Sequence, residues 1–361
     1  MELTVQLGDR SYPVFLNDSR SLPDVLKSRF PDRGFALVTN TTLARLYEKK
    51  LAGLDRALGP VRHVIDDGER FKTVATWQAV LDTLLCSRLD RQAVVLAFGG
   101  GVVGDIAGFA ASAFLRGVDY VQIPTTLLAM VDSSVGGKTG VDHLTGKNRI
   151  GAFCQPRMVW IDTRFLDTLP EREFVGGCAE VFKYGFIGGA EMFAFVVAGR
   201  EKILGRDPAL LLDAIEKSIR IKAAIVAEDE RESSGKRSLL NFGHTFAHAL
   251  ETYYDYDKLL HGEAVLWGMA CAVELGLRAG TVPAESRAEY AAFCDHLPRI
   301  QLPSRPSAGD LYAGMFADKK AAAGKIRFVL PAQPGTSVLR DDMAKADVLA
   351  AIEAVLDRTS P

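Results

Sequence analysis

The feature that most constrains the fold is an alternation of short apolar runs with helical patterns over the first 165 residues. Apolar runs of strand length fall at residues 34–39, 61–65, 93–98, 120–123 and 158–161. Helical periodicity separates several of these runs, and residues 3–7 and 12–16 indicate an opening hairpin. Strands that alternate with helices in this way predict an α/β domain with a parallel sheet.

The pattern changes after about residue 170. Residues 171–300 have long helical patterns rich in Ala, Leu, Glu and Lys. Residues 325–330 are the one clear strand candidate, and residues 336–339 are the segment that could pair with them. A chain of 361 residues is long enough for two domains. We predict an α/β domain over residues 1–168 and a mainly helical domain over residues 169–361, packed closely enough to form a cleft.

Composition excludes several classes of partner. The formal net charge of −2 offers no electrostatic footprint for nucleic acid or an anionic membrane. No apolar run is long enough to span a bilayer, and the first residues lack the pattern of a signal peptide. The five cysteines are scattered, with no CxxC pair, as in a reduced compartment. These observations predict a cytoplasmic enzyme.

A glycine-rich segment follows the apolar run at residues 93–98 and opens a helical pattern through Asp105. Glycines at such a turn let backbone N–H groups approach a pyrophosphate. The segment departs from the strict GxGxxG pattern, so a tight structural turn is an equally good interpretation of it alone. Asp67 and the pair Thr125 and Thr126 also follow predicted strands, and an acidic group there can accept from a ribose hydroxyl. Together they favour a dinucleotide site.

A segment rich in Gly, Ser, Asp and Lys runs from Asp132 to Asn148. Its lysines, Lys138 and Lys147, are suited to a phosphate or carboxylate because an ammonium group offers three donors. A solvated loop would explain either lysine alone. We expect a binding loop because the polar residues are dense and follow a buried strand.

Histidine provides the sharpest signal. Three of the six histidines, His244, His248 and His261, fall within eighteen residues, and Glu180 lies in a helical segment. Two histidines and one carboxylate with an open position suit a catalytic Zn²⁺ ion. The spacing leaves open which of His244 and His248 is a ligand, and whether the pair merely shares a helix face.

Basic side chains accompany these candidates. They are Arg116, Lys183, Lys222, Arg237, Lys319 and Lys320. Most such residues on helices are solvated surface charges. If several converge, the substrate is a small polyanion such as a sugar phosphate acid.

The ordered motifs of the chain resemble those of the 3-dehydroquinate synthase family from about residue 34 to residue 330. They are DGERFKT (67–73), GGGVVGDIAGF (99–109), LRG (115–117), PTTLLAMVDSSVGGKTGVD (124–142), GKNRIGAFCQP (146–156), DTLPEREF (167–174), AEVFKYG (179–185), RSLLNFGHTFAH (237–248), HGEAV (261–265), and DKK with KIRFVL (318–330).

The resemblance implies a Rossmann-like α/β N-terminal domain and a mainly α-helical C-terminal metal-binding domain. It implies a cytoplasmic homodimer that uses NAD and one divalent metal ion, Zn²⁺ or Co²⁺. The implied reaction converts 3-deoxy-D-arabino-heptulosonate 7-phosphate (DAHP) to 3-dehydroquinate and phosphate. It would proceed through transient oxidation at C5, loss of phosphate, re-reduction and an intramolecular aldol step.

The resemblance also implies roles for individual residues. The metal ligands would be Glu180, His244 and His261, with His248 facing the substrate. The NAD contacts would be Asn40, Asp67, Gly68, Glu69, Arg70, Phe71, Lys72, Gly101, Val102, Val103, Gly104, Asp105, Thr125, Thr126, Lys138, Lys147, Phe165, Leu166, Asp167 and Thr168. The catalytic groups would be Asp132, Lys138, Lys183, Arg237, Asn241 and His248. Further substrate contacts would be Arg116, Asn148, Lys222 and one of Lys319 or Lys320.

The chain departs from the family pattern in two places. The segment 142–144 replaces the usual Asn-x-Pro, and Ala247 stands where Gly is usual. Three other functions compete: a related cyclase acting on a non-carboxylated sugar phosphate, a metal-dependent polyol dehydrogenase and a non-catalytic NAD-binding regulator. The intact lysines and Arg237 favour a carboxylated substrate.

Overall fold

The protein is described by a computed structural model over residues 1–256, 258–316 and 325–359. It divides into two compact units. The first comprises residues 1–169 together with 222–227, and the second comprises residues 170–221 and 228–361. In the described part of the chain, no helix has both the length and the apolarity needed to cross a membrane.

The first unit is built on a seven-stranded sheet with the order β1-β2-β9-β6-β5-β3-β4. Only β1 and β2 pair antiparallel, and the other neighbours in the sheet are parallel. The strands of the unit are β1 (Glu2–Val5), β2 (Tyr12–Leu16), β3 (Phe35–Asn40), β4 (Val61–Ile65), β5 (Val94–Gly99), β6 (Asp119–Pro124), β7 (Lys138–His143), β8 (Gly146–Phe153) and β9 (Met158–Ile161).

The helices of the first unit follow the strands as the alternating pattern predicts. They are α1 (Leu22–Arg29), α2 (Thr41–Leu46), α3 (Glu48–Leu58), α4 (Val74–Leu85) and α5 (Gly101–Ala113). The central strand β5 is buried along its whole length because parallel sheets are covered on both faces. Helix α5 packs against it through small and apolar residues such as Ile106, Ala107 and Ala110.

The second unit is mainly helical. Its helices are α6 (Glu171–Ile187), α7 (Ala190–Leu204), α8 (Pro208–Glu228), α9 (His244–Tyr253), α10 (His261–Arg278), α11 (Arg287–Asp295), α12 (Ala308–Met315) and α13 (Lys345–Thr359), and residues 222–227 of α8 group with the first unit. Strands β10 (Phe328–Pro331) and β11 (Ser337–Arg340) pair antiparallel. The predicted fold class, an α/β domain followed by a mainly helical one, is confirmed.

The polar segment after Asp132 differs from the expected loop. Residues 138–153 form an antiparallel hairpin of β7 and β8, and Asp132 lies in a π-helical turn, Ala129–Ser133. The polar composition concealed the strands because β8 is half exposed along its length and carries little of the apolar alternation that predicts a strand.

Candidate functional site

Three helices of the second unit bring one carboxylate and two imidazoles together. Glu180 on α6, His244 at the start of α9 and His261 at the start of α10 have ligand atoms that all lie within 4.8 Å of one another. Glu180 Oε1 lies 3.6 Å from His244 Nε2 and 3.5 Å from His261 Nε2. The Glu180 side chain is completely buried. This donor set suits a divalent ion such as Zn²⁺ or Co²⁺.

Glycines allow the helices that carry these ligands to approach closely. A Cβ atom on Gly262, the residue after His261, would lie 2.1 Å from the carbonyl oxygen of Gly176 on α6. A Cβ on Gly268 of α10 would lie 2.2 Å from the carbonyl oxygen of Gly243, which precedes His244. Each of the two histidines therefore lies next to a close contact between two helix backbones. A residue larger than glycine at that contact would force the helices apart.

Each histidine ligand is oriented through its other ring nitrogen. Nδ1 of His244 lies 3.0 Å from the carbonyl oxygen of Phe242, and Nδ1 of His261 lies 3.2 Å from Glu251 Oε1. Because Nδ1 donates to these acceptors, Nε2 of each ring is the nitrogen left to coordinate a metal ion, which displaces any proton that Nε2 carries. Sequence reasoning missed Glu251, although it lies seven residues after His244 on the same helix and therefore on the same face.

The charges around Glu180, His244 and His261 favour a bound cation. Burial lowers the pKa of His244 well below its usual value, so this imidazole is neutral, as a metal ligand must be. Burial also lowers the pKa of His261, but the carboxylates of Glu251 and Glu180 outweigh it and raise the pKa to about 10. Two buried carboxylates therefore favour positive charge at this position, and a divalent ion supplies it.

His248 lies beside the group without belonging to it. Its ring centroid is 5.6 Å from that of His244 and 6.3 Å from that of His261, and the residue is partly exposed. The atoms that could share one ion come from Glu180, His244 and His261. The departure at Ala247 is accommodated because the residue packs where α10 presents Gly268.

Two buried cations accompany the ligands in the second unit. Lys183, one turn after Glu180, forms an ion pair with it and is 1% exposed. Arg237 is 2% exposed and donates from Nη1 to the carbonyl oxygen of Glu230 at 2.5 Å. The carboxylate of Asp229 accepts from the backbone N–H of Arg237 at 3.1 Å and thereby shapes the loop that leads to Asn241. Lys319 and Lys320 lie outside the described residues.

Several of the predicted NAD residues lie at the carboxyl ends of the parallel strands in the first unit. The glycine turn 99–101 connects β5 to α5, whose first turn leaves the N–H groups of residues 101–103 without an acceptor inside the helix, whereas the N–H of Gly104 donates to the carbonyl oxygen of Gly100. The backbone N–H of Thr125, after β6, donates to the carbonyl oxygen of Gly99 at 3.0 Å. After β4, Asp67 accepts from Asn40 Nδ2 at 2.7 Å and from Thr42 Oγ1 at 2.8 Å.

Lys72 connects three parts of the first unit. Its Nζ atom lies 2.6 Å from Asp105 Oδ2 and donates to Asn148 Oδ1 at 2.5 Å. Burial alone would lower the pKa of Lys72, but the carboxylates of Asp105 and Glu69 outweigh it and raise the pKa. Asp142, where the family usually has Asn, accepts from the backbone N–H of Asn148 at 2.7 Å. The departure at this position therefore leaves Asn148 firmly held.

Other predicted residues of the first unit lie in ion pairs, in a 3₁₀ helix and at the start of β7. Lys222 of α8 donates from Nζ to Asp132 Oδ1 at 2.7 Å, and Lys147 pairs with Glu69 at 3.3 Å. The segment Thr163–Thr168 is a 3₁₀ helix that carries the predicted residues 165–168. Lys138 begins β7 and is exposed.

Arg116 lies apart from these residues. Helix α5 runs 13 residues from the glycine turn, about 20 Å of helix, and Arg116 follows its far end. Leu115, Arg116 and Gly117 all have positive φ, at 49°, 72° and 118°. Within its own unit, Arg116 lies at the edge of the sheet opposite the glycine turn, before β6 begins.

Comparison with known proteins gives a consistent result. The chain matches the family described as 3-dehydroquinate synthase N-terminal over residues 62–176 and the family described as 3-dehydroquinate synthase C-terminal over residues 177–321. It is 47% identical over 343 residues to the 3-dehydroquinate synthase of Halorhodospira halophila (strain DSM 244 / SL1), covering 94% of this chain and 95% of that protein.

Two solved structures are similar over nearly the whole chain. The 2-epi-5-epi-valiolone synthase of Streptomyces hygroscopicus subsp. jinggangensis 5008, with NAD⁺ and Zn²⁺ bound, is 29% identical with a TM-score of 0.85, covering 96% of this chain and 97% of that one. A 2-deoxy-scyllo-inosose synthase in complex with carbaglucose-6-phosphate, NAD⁺ and Co²⁺ is 22% identical with a TM-score of 0.82, covering 98% and 99%. The second likeness is evidence for the fold alone.

Proposed function

The chain belongs to the 3-dehydroquinate synthase family, and we infer from this membership that it converts DAHP to 3-dehydroquinate and phosphate. This is a step of the shikimate pathway, which leads to chorismate and the aromatic amino acids. The structural observation that carries the inference is the group of Glu180, His244 and His261 with the buried cation Lys183 beside it. The protein is therefore a phosphorus–oxygen lyase.

The enzyme uses NAD and one divalent metal ion. When bound, NAD would take a hydride from C5 of the substrate and later return it, and the metal ion would polarise the C5 hydroxyl so that its proton leaves, so the reaction has no net redox change. Glu180, His244 and His261 hold the ion. The N–H groups at the start of α5, up to Val103, would receive the pyrophosphate of NAD, and Asp67 would accept from its ribose.

The basic side chains bind and orient the anionic groups of the substrate. Lys183 and Arg237 are 1% and 2% exposed, so their charges act where water screens them little. Lys222 is held by Asp132 and donates in the same way, while Asn241 and His248 supply polar contacts. The phosphate oxygen of the substrate itself takes the C6 proton, and the protein stabilises the charge that develops.

The decisive experiment is turnover of DAHP. Phosphate release is expected to require NAD⁺, to stop on chelation of the metal and to proceed without accumulation of NADH. Glu180→Ala should abolish it, whereas Glu191→Gln, an exposed change on α7, should leave it unchanged. Full phosphate release by metal-stripped Glu180→Ala would refute the metal assignment. Turnover of a non-carboxylated sugar phosphate but not of DAHP would instead indicate a related cyclase.

The family resemblance also supports a cytoplasmic homodimer. Light scattering of the purified enzyme should give twice the 39.2 kDa mass of one chain. A mass equal to one chain at micromolar concentration would contradict the dimer. Cell fractionation should recover the activity with the cytoplasmic proteins rather than with the membranes or the exported fraction.

A further inference from the structure

Glu251 is a buried carboxylate that the reaction described above does not use. It is 1% exposed and lies on α9, which also carries His244 and His248. Burial of a carboxylate is costly unless its charge is compensated. Its Oε1 atom faces Nδ1 of His261 at 3.2 Å, so it contacts a metal ligand and not the position of the metal.

We propose that Glu251 is a positioning residue that holds His261 for the metal ion and sets the affinity of the site. The inference rests on the metal site of the proposed function and adds a residue to it. The carboxylate fixes the ring so that Nδ1 carries the proton and Nε2 faces Glu180, 3.5 Å away. Only this tautomer presents a lone pair to the ion.

The two histidine ligands are held differently, which explains why Glu251 matters. His244 donates to the neutral carbonyl oxygen of Phe242, two residues earlier in its own chain segment. His261 begins α10, its side chain is 32% exposed, and the acceptor that holds its ring comes from another helix. The acceptor of His261 is a charged carboxylate, and this contact connects α9 to the start of α10.

The charge balance of the group supports the same role. Glu180 and Glu251 bring two negative charges, and Lys183 compensates one of them through its ion pair with Glu180. The Glu251 charge lies beside His261 and favours a cation at the ligands. Without the negative charge of Glu251, the positive charge of the ion is less well compensated in a site that water screens poorly, so the ion binds more weakly.

The test is the metal dissociation constant of Glu251→Gln and Glu251→Ala, measured by competition with a chromogenic chelator for Zn²⁺. We expect binding about 10- to 100-fold weaker than in the wild type, with Glu251→Gln the milder change because its amide oxygen still accepts from Nδ1. The absorption spectrum of the Co²⁺-loaded protein should change in Glu251→Ala as His261 loses its orientation.

Glu274→Gln is the matched control because Glu274 lies further along α10, where it pairs with Arg278 of the same helix and with Arg358 of α13. It should bind Zn²⁺ like the wild type. The proposal would be overturned if both Glu251 variants kept the wild-type affinity for Zn²⁺ and the wild-type Co²⁺ spectrum. It would also be overturned if the variants only lowered the thermal unfolding midpoint of the metal-free protein. Glu251→Gln keeps the test decisive if Glu251→Ala does not fold. A wild-type protein that binds no metal would instead refute the proposed function.

Discussion

Asp67, which we propose as a contact of NAD, is held in place by its neighbours. It follows β4 at the carboxyl edge of the parallel sheet, and Asn40 and Thr42 both donate to it. These two bonds hold the carboxylate in one orientation before any ligand arrives. A carboxylate at this position in a dinucleotide fold accepts from a ribose hydroxyl and repels an added phosphate.

Replacing Asp67 with alanine is therefore expected to weaken NAD⁺ binding about 10- to 100-fold, the loss of a hydrogen bond to a charged group. Discrimination against NADP⁺ should fall as well. Asp66→Ala is the control, since Asp66 is the exposed neighbour on the same turn. Calorimetric titration of both variants measures the effect. Equal losses in the two variants would show that only the general charge of the turn matters.

At the scale of helices, contacts between glycines set the distances within the metal group. Helices α6 and α10 approach at Gly176 and Gly262, and α9 and α10 approach at Gly243 and Gly268. Periodicity predicts which residues share one helix face, as it did for His244 and His248. The separation of two helices depends on the residues at their crossing point, so it is not readable from either helix alone.

Gly262→Ala should destabilise the protein by about 1–3 kcal/mol, because the new methyl group would overlap the Gly176 carbonyl and force the helices apart. Zn²⁺ binding should weaken in parallel, since His261 adjoins the contact. Gly309→Ala on α12 has room for the methyl group and should preserve both properties. Denaturant unfolding and chelator competition supply the measurements. If Gly262→Ala is less stable but binds Zn²⁺ as tightly as the wild type, the glycine contact does not set the geometry of the metal site.

For the whole molecule, the metal ion contributes to stability as well as to chemistry. A ligand that binds only the folded state stabilises it by about 2.7 kcal/mol at a free concentration 100 times its dissociation constant. Chelation should therefore lower the thermal unfolding midpoint of the wild type, and Zn²⁺ should restore it. Glu180→Ala should unfold at the same temperature with and without Zn²⁺. A midpoint insensitive to chelation in the wild type would contradict the site.

Local pattern was enough to predict most of the architecture. The alternation of strand and helix, the glycine turn before α5 and the pairing of β10 with β11 were all evident, because burial repeats every two residues in a strand and every 3.6 in a helix. The hairpin of β7 and β8 was missed because its exposed polar residues hide that period.

The requirement for NAD and for a divalent metal ion also followed from motifs in the sequence, through the residues that such ligands require. Tertiary structure decided what depends on distances between separate elements. In the structure, His248 lies outside the group of Glu180, His244 and His261, and Glu251 contacts His261. Lys222 donates to Asp132, and Arg116 follows the far end of α5. The physical reason is that periodicity encodes which face of an element is buried, whereas the atoms that meet across that face depend on how closely the packed elements approach.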